Sequence, residues 1–293
     1  MPSKLISVSE TTAVSRGERR IGAILVDAGR LSLEDAERIL RLQREQNIRF
    51  GDAALKLGLL TQADIELALS SQFDYPYLLR GSSKVSESVA AAYQPFSPKV
   101  EALRALRSQL MLRWFDASPG HNALAILSAA SKEGRSFIAA NLAVVFSQLG
   151  ERTLLIDADM RHPCQHELFG LDNRRGLSAA LAGRGGSAEV QRVEGLRDLS
   201  VLPAGAVPPN SIELLSRPLF AQTLKKLRQN FDVILLDSPP AGKYSDGQTI
   251  VARCGAALIV ARKNTSRLWH VRAVSDAVAQ AHATVIGTAL NDY

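Results

Sequence analysis

Three carboxylates and one cation draw attention by where they stand. The apolar run 123–128 breaks into Ala129-Ala130-Ser131-Lys132-Glu133-Gly134-Arg135-Ser136-Phe137, and a run of helical period follows. A strand ending in small and polar residues before a helix can ring a phosphate with backbone N–H groups at the helix's positive end. Against the pattern G-x-x-x-x-G-K-[ST], Ala129 replaces the first Gly and Arg135 replaces the Lys. The candidate phosphate contacts are therefore Lys132, Glu133, Gly134, Arg135, Ser136 and Phe137. Two later apolar runs also end in acid, one at Asp157-Ala-Asp159-Met-Arg161 and one at Asp237-Ser-Pro-Pro. A hard cation such as Mg²⁺ takes oxygen ligands, here the Ser136 hydroxyl and the Asp159 and Asp237 carboxylates. Phosphoryl transfer needs positioning, charge neutralisation and an acid near the attacking hydroxyl. Arg135 can neutralise, although its planar fork is bulkier than a Lys ammonium and need not fit the same pocket. Each Asp alone reads as a cap or loop residue. Three of them at strand ends beside one loop point to phosphate chemistry.

These residues need a scaffold that gathers strand ends. Apolar runs at 123–128, 152–157, 231–237, 256–261 and 284–290 alternate with helical patterns at 136–149, 210–230, 246–252 and 266–282. That alternation predicts a mostly parallel α/β sheet flanked by helices, of the P-loop NTPase type. Ligands in such sheets bind at the carboxyl ends of the strands. The 293-residue chain carries a net charge of +6, spread along its length, which reads as a solvated basic surface as readily as an anion-binding one. Cys164 and Cys254 lack metal-ligand spacing and read as inert thiols. No stretch has the character of a signal peptide or a membrane span, so a cytoplasmic protein is expected unless a partner holds it at a membrane.

Before this region the chain repeats itself. After a polar stretch, 1–17, expected to be a flexible tail, residues 20–43 and 49–72 share eight identities. They are Arg20/Arg49, Gly22/Gly51, Gly29/Gly58, Leu31/Leu60, Asp35/Asp64, Glu37/Glu66, Leu40/Leu69 and Gln43/Gln72. Each unit predicts a short helix, a Gly C-cap, and a second helix opened by Ser32 or Thr61 with an acid three residues on, a capping box. Helix packing alone gives no reason to repeat an Arg at the first position and a Gln at the last. A guanidinium on phosphate, a backbone approach at Gly and an amide on a base edge would suit a nucleotide ligand; a plain docking module is the other reading.

The doubled pattern R-[apolar]-G-x6-G-x6-L-x3-L-x2-Q resembles the cyclic-di-GMP-binding MshEN domain of type II secretion and type IV pilus ATPases. That resemblance implies Arg20, Gly22, Gln43, Arg49, Gly51 and Gln72 as ligand contacts in a small helical domain over 18–80. Residues 81–98, with their Ser and Pro, are expected to be a linker to a domain over 99–293. There Glu101, Arg104 and Arg107 form E-x-x-R-x-x-R, which is similar to the subunit-contact motif of bacterial tyrosine kinases and implies a homo-oligomer. D-A-D-M-R at 157–161 and I-L-L-D-S-P-P at 234–240 resemble the Walker-type signatures of the same family, nearest to the group associated with exopolysaccharide chain-length determinants (EpsG). The resemblance implies an ATP-binding tyrosine autokinase that regulates exopolysaccharide chain length or export. Asp157 would activate the incoming hydroxyl, Asp159 would assist catalysis and the metal, and Ser136 and Asp237 would serve Mg²⁺. It also implies recruitment to the inner membrane by a separate chain-length determinant protein. Arg135, Ala129 and the lone Tyr293 where the family has a tyrosine cluster favour an alternative, a catalytically weak nucleotide switch. A partition or septum-placement ATPase ranks third, because that class carries a signature Lys early in its phosphate loop and usually lacks the D-x-D-x-R strand end and the Pro-Pro that follow here at 157–161 and 239–240.

Overall fold

The computed structural model describes residues 21–72, 76–183 and 189–292, and the expected tail 1–17, Arg20 and Tyr293 lie outside them. The chain divides into two compact units, Met1–Pro76 and Tyr77–Tyr293.

The first unit has four described helices: α1 (Ile21–Asp27), α2 (Leu33–Gln46), α3 (Phe50–Lys56) and α4 (Gln62–Gln72). The predicted capping signals act as expected. Ser32 Oγ accepts from Asp35 N, and the Thr61 backbone N–H donates to the Asp64 carboxylate. Gly29 and Gly58 close the first helix of each repeat at φ 66° and 65°, where a side chain would strain the backbone. The repeats interlock, with α1 packing on α4 and α2 on α3. Neither repeat completes a core alone; Leu25, Leu31 and Ile39 of one meet Ala53, Ala54, Leu60, Ile65 and Ala68 of the other.

The second unit opens with α5 (Ala90–Tyr93) and α6 (Pro98–Leu110), which runs into a π-helical turn at Met111–Phe115. Then come β1 (Ala123–Ser128), α7 (Arg135–Ser147), β2 (Thr153–Asp157), α8 (Gln165–Phe169), α9 (Leu177–Leu181), β3 (Gln191–Arg192) and β4 (Leu199–Leu202). The remainder is α10 (Ser211–Ser216), α11 (Pro218–Leu227), β5 (Val233–Asp237), α12 (Asp246–Cys254), β6 (Ala256–Arg262), α13 (Leu268–Gln280) and β7 (Thr284–Asn291). The strand order is β3-β4-β2-β5-β1-β6-β7, parallel throughout except for β3 against β4. β1, β2, β4 and β5 are buried along their whole length, because helices cover both faces of the sheet. One apolar layer joins α5, α6 and α7 to the sheet, and the other joins α10 to α13. β3 and β4 leave no sign in the sequence, because two and four residues are too short for a periodic signal.

The expected linker at 81–98 is corrected. Val85, Val89, Ala90, Ala91, Ala92 and Tyr93 are buried in the same core as α7. Asn141 of α7 accepts from Ala91 N at 2.8 Å, Gln148 donates to Ala91 O at 3.0 Å, and Ser86 N donates to Leu168 O. The Ser and Pro residues that suggested a linker do local work instead. Ser97 caps α6 and Pro98 begins it, where a missing N–H costs nothing. Segment 77–98 is thus a strap across α7.

Candidate functional site

Strand order brings the predicted carboxylates together. β5 lies between β2 and β1, and the parallel register sets Asp157 directly opposite Asp237, with Ile126 of β1 on Asp237's other side. Both carboxylates are fully buried, and Asp159 nearly so. Asp157 Oδ2 accepts from the backbone N–H groups of Cys164 and Gln165 at 3.0 and 2.9 Å, while its Oδ1 has no hydrogen-bond partner among the described residues. Burial, and then the neighbouring Asp237, push the Asp157 carboxyl well above the usual carboxylate range. Burial also raises Asp159, although the His162 backbone N–H and Arg135 work against it.

The phosphate loop leads from β1 into α7, and its charged residue turns inward. Arg135 Nε donates to Asp237 Oδ1 at 3.0 Å, Nη2 to Asp159 Oδ2 at 3.2 Å and Nη1 to Ser128 Oγ at 2.9 Å. Expected to face phosphate, Arg135 here lies on the carboxylates, because the fork is long enough to span two strand ends. Gly134 holds φ 91°, and a Cβ there would fall 2.0 Å from Asn291 Nδ2. The loop is also clasped from the opposite side of the sheet. Glu133 is buried, accepts from Ala130 N at 2.7 Å and from Ser266 Oγ, and its carbonyl accepts from Asn291 Nδ2. Lys132, at φ 65°, is exposed, and its carbonyl accepts from Arg262. Phe137 packs against the core beneath Lys99. Ser136 is bound through its carbonyl to Gln165 Nε2, and its hydroxyl reaches the Cys164 thiol.

Gln165, Ser266 and Asn291 carry no sequence signal, since each acts through a partner far along the chain, and Ser128 is joined to the site only by the inward turn of Arg135. Gln165 Nε2 bridges Ser136 O and Asp237 Oδ2. Cys164 lies inside the site, beside Asp157 and Asp237, and burial pushes its thiol up to about 12. Cys254 is buried and pushed up to about 12 as well. Arg161 reaches back across the site to form a two-pronged pair with Asp246 at 3.1 Å, stacked 4.3 Å over the Tyr244 ring.

The donor chemistry fits a hard cation: two carboxylates, a hydroxyl and phosphate oxygens. Among the described residues no three His, Cys, Asp or Glu side chains are grouped to hold a metal by themselves. A cation here needs the Ser136 hydroxyl or a phosphate to complete its shell.

In the first unit, Gly22, Gln43 and Gln72 line one cavity of about 650 Å³ with Ile21, Leu40 and Phe50. Gln43 and Gln72 hold equivalent places in the two repeats, so interlocking has brought both amides to one wall. Arg49 is exposed at the start of α3, and Gly51 packs against Ile65. On α6, Glu101 pairs with Arg104 at 2.9 Å, and Arg107 donates to Val145 O of α7.

The kinase domain of the Escherichia coli tyrosine kinase ETK superposes with a TM-score of 0.67 at 32% identity, covering 75% of this chain and 85% of that one. Residues 122–289 match the family model described as cellulose biosynthesis protein BcsQ. CapB of Staphylococcus aureus is 32% identical over 215 residues, covering 71% of this chain and 92% of CapB. The chain belongs to the bacterial tyrosine-kinase family. EpsB of Ralstonia solanacearum is 34% identical over 231 residues, and CapB and EpsB are both described as putative tyrosine-protein kinases. The chain spans 29% of the length of EpsB. The BcsQ match runs from just before β1 into β7, within the sheet domain of this tyrosine-kinase family member. No described helix is long and apolar enough to cross a membrane.

Proposed function

We propose that the second unit binds ATP with Mg²⁺ and acts as a tyrosine autokinase in the control of exopolysaccharide chain length or export. The observation that carries this reading is the convergence of Asp157, Asp159 and Asp237 on the phosphate loop through strand register. Gly134 and the first turn of α7 would take the phosphates on backbone N–H groups. Ser136, Asp159 and Asp237 would hold Mg²⁺, which when bound neutralises phosphate charge. Asp157 offers a partnerless Oδ1 and a carboxyl whose proton affinity burial has raised, which suits accepting the proton of an incoming tyrosyl hydroxyl. Glu101, Arg104 and Arg107 would contribute to a contact between copies, and a separate membrane chain-length determinant would recruit the assembly to the inner membrane. The first unit would sense cyclic-di-GMP through Arg20, Gly22, Gln43, Arg49, Gly51 and Gln72, as in the MshEN domain it resembles. In this reading the helical domain, expected over 18–80, ends at Pro76, and the kinase-like domain takes in the strap 77–98 ahead of 99–293.

A second reading has a specific observation behind it. The clamping of Arg135 on Asp159 and Asp237 favours a nucleotide switch that binds ATP without transferring phosphate. Incubation of the purified chain with Mg-ATP, followed by phosphotyrosine detection and mass spectrometry, separates the two. The autokinase reading expects phosphotyrosine that Asp157→Asn abolishes. ATP binding by calorimetry with no phosphotyrosine would leave the switch, and no ATP binding would remove both. Calorimetry with cyclic-di-GMP tests the first unit: saturable binding lost in Arg49→Ala but not in Asp157→Asn supports the sensor, and no heat leaves a docking module.

A further inference from the structure

We infer that Arg135 is the resident cation of the carboxylate cluster, closing it to a free divalent ion until phosphate draws the guanidinium away. This rests on the nucleotide reading above for what releases it. Among the described residues, three of the five guanidinium donors are engaged, on Asp237, Asp159 and Ser128. Two of those partners are the carboxylates assigned to the metal. The Arg135 side chain is 8% exposed and those of its two acids 4% and 0%, so the pairs are poorly screened. A divalent ion entering alone would have to displace the guanidinium or meet its like charge at hydrogen-bond range. A Lys ammonium is a point charge on a flexible stem and cannot bridge two carboxylates and a hydroxyl in one plane.

The two donors that remain point to the order of events. A nucleotide phosphate can take them first, giving the guanidinium an alternative anion and freeing Asp159 and Asp237 for the cation. The loop residue that reads as a departure from the phosphate-loop pattern thus imposes a sequence in which phosphate comes first and metal second. Arg161 does not share this task, because it is held by Asp246.

The test is thermal unfolding of the full chain titrated with MgCl₂ alone, without nucleotide, for wild type, Arg135→Gln and Arg135→Lys. Wild type is expected to shift by less than about 1 °C at millimolar Mg²⁺. Arg135→Gln, left with unpaired acids, is expected to unfold at lower temperature and to gain about 5 °C or more from Mg²⁺, as expected when an ion binds the native state alone. Arg135→Lys guards against a Gln variant that fails to fold and is expected to respond in the same direction. Direct Mn²⁺ titration followed by electron paramagnetic resonance gives a readout independent of stability. Equal Mg²⁺ response in wild type and both variants, or no response in any of them, overturns the inference. ATP titration is run separately; a chain that binds no ATP refutes the nucleotide reading, while the metal-only comparison still reports on Arg135.

Discussion

Replacing Arg161 by Ala isolates one buried charge. Asp246 is the first residue of α12, nearly fully buried, and takes both prongs of the Arg161 guanidinium at 3.1 Å. Removing one partner of a buried pair leaves an uncompensated charge, which typically costs about 3–5 kcal/mol. The Arg161 side chain is 28% exposed, so water can partly reach the gap and the cost falls below that range, to about 2–3 kcal/mol. Loss of the stack on Tyr244 adds roughly 0.5–1 kcal/mol. For a domain of this size each kcal/mol moves the midpoint by about 2–4 °C, so a fall of roughly 5–15 °C is expected by scanning calorimetry. The double variant Arg161→Ala/Asp246→Asn is the decisive measurement. With the charge removed it should regain at least half of the loss, because what destabilises is the orphaned carboxylate rather than the missing contact. A single variant within 1 kcal/mol of wild type, or a double variant no more stable than the single, would refute the reasoning.

Two further expectations follow from the same geometry. Asn141→Ala strips the acceptor from Ala91 N and releases the strap from α7, at a cost of about 1–3 kcal/mol, read as a midpoint fall of roughly 2–12 °C. If segment 77–98 behaved as a linker, that change would leave the midpoint within error of wild type. Asp157→Asn has a pH signature. Because the folded carboxyl holds its proton to higher pH than the unfolded one, its stabilising share is present at low pH and is lost as pH rises through the folded value. The Asn variant should therefore be more stable than wild type at pH 7–8, with an advantage that shrinks as pH falls towards about 4, the ordinary Asp value. Midpoints measured across that range that keep a constant difference, or a variant less stable at pH 8, contradict it.

The features legible in the sequence were local ones. Ser32 with Asp35, and Thr61 with Asp64, sit three apart and reach one another within a single helical turn, so a capping box needs no tertiary context. Gly29 and Gly58 end their helices for an equally local reason, the left-handed backbone that a Cβ would strain. Continuous apolar runs ending in Asp157 and Asp237 announced buried parallel strands with acids at their carboxyl ends. Even the short strap carried local signals, but Ser97 and Pro98 mark a helix start as well as they mark a linker, and composition could not separate the two.

What the tertiary structure alone decided depends on residues far apart in the chain. Asp157 faces Asp237 because β2 and β5 are neighbours in register, which neither strand's sequence specifies. The side chain of Arg135 lies against an acid 102 positions away, and its direction follows from the order β2-β5-β1 that carries that acid to the loop. Asn291 clasps Glu133 across 158 positions, and Gln43 and Gln72 share a cavity because α1 pairs with α4 and α2 with α3. Residue types and short spacings set which chemistry was available, since turns, caps and strand runs are governed by neighbours within a few residues. Which charges meet was set by sheet order and helix pairing, since a guanidinium takes whichever anions the fold brings within 3 Å of it.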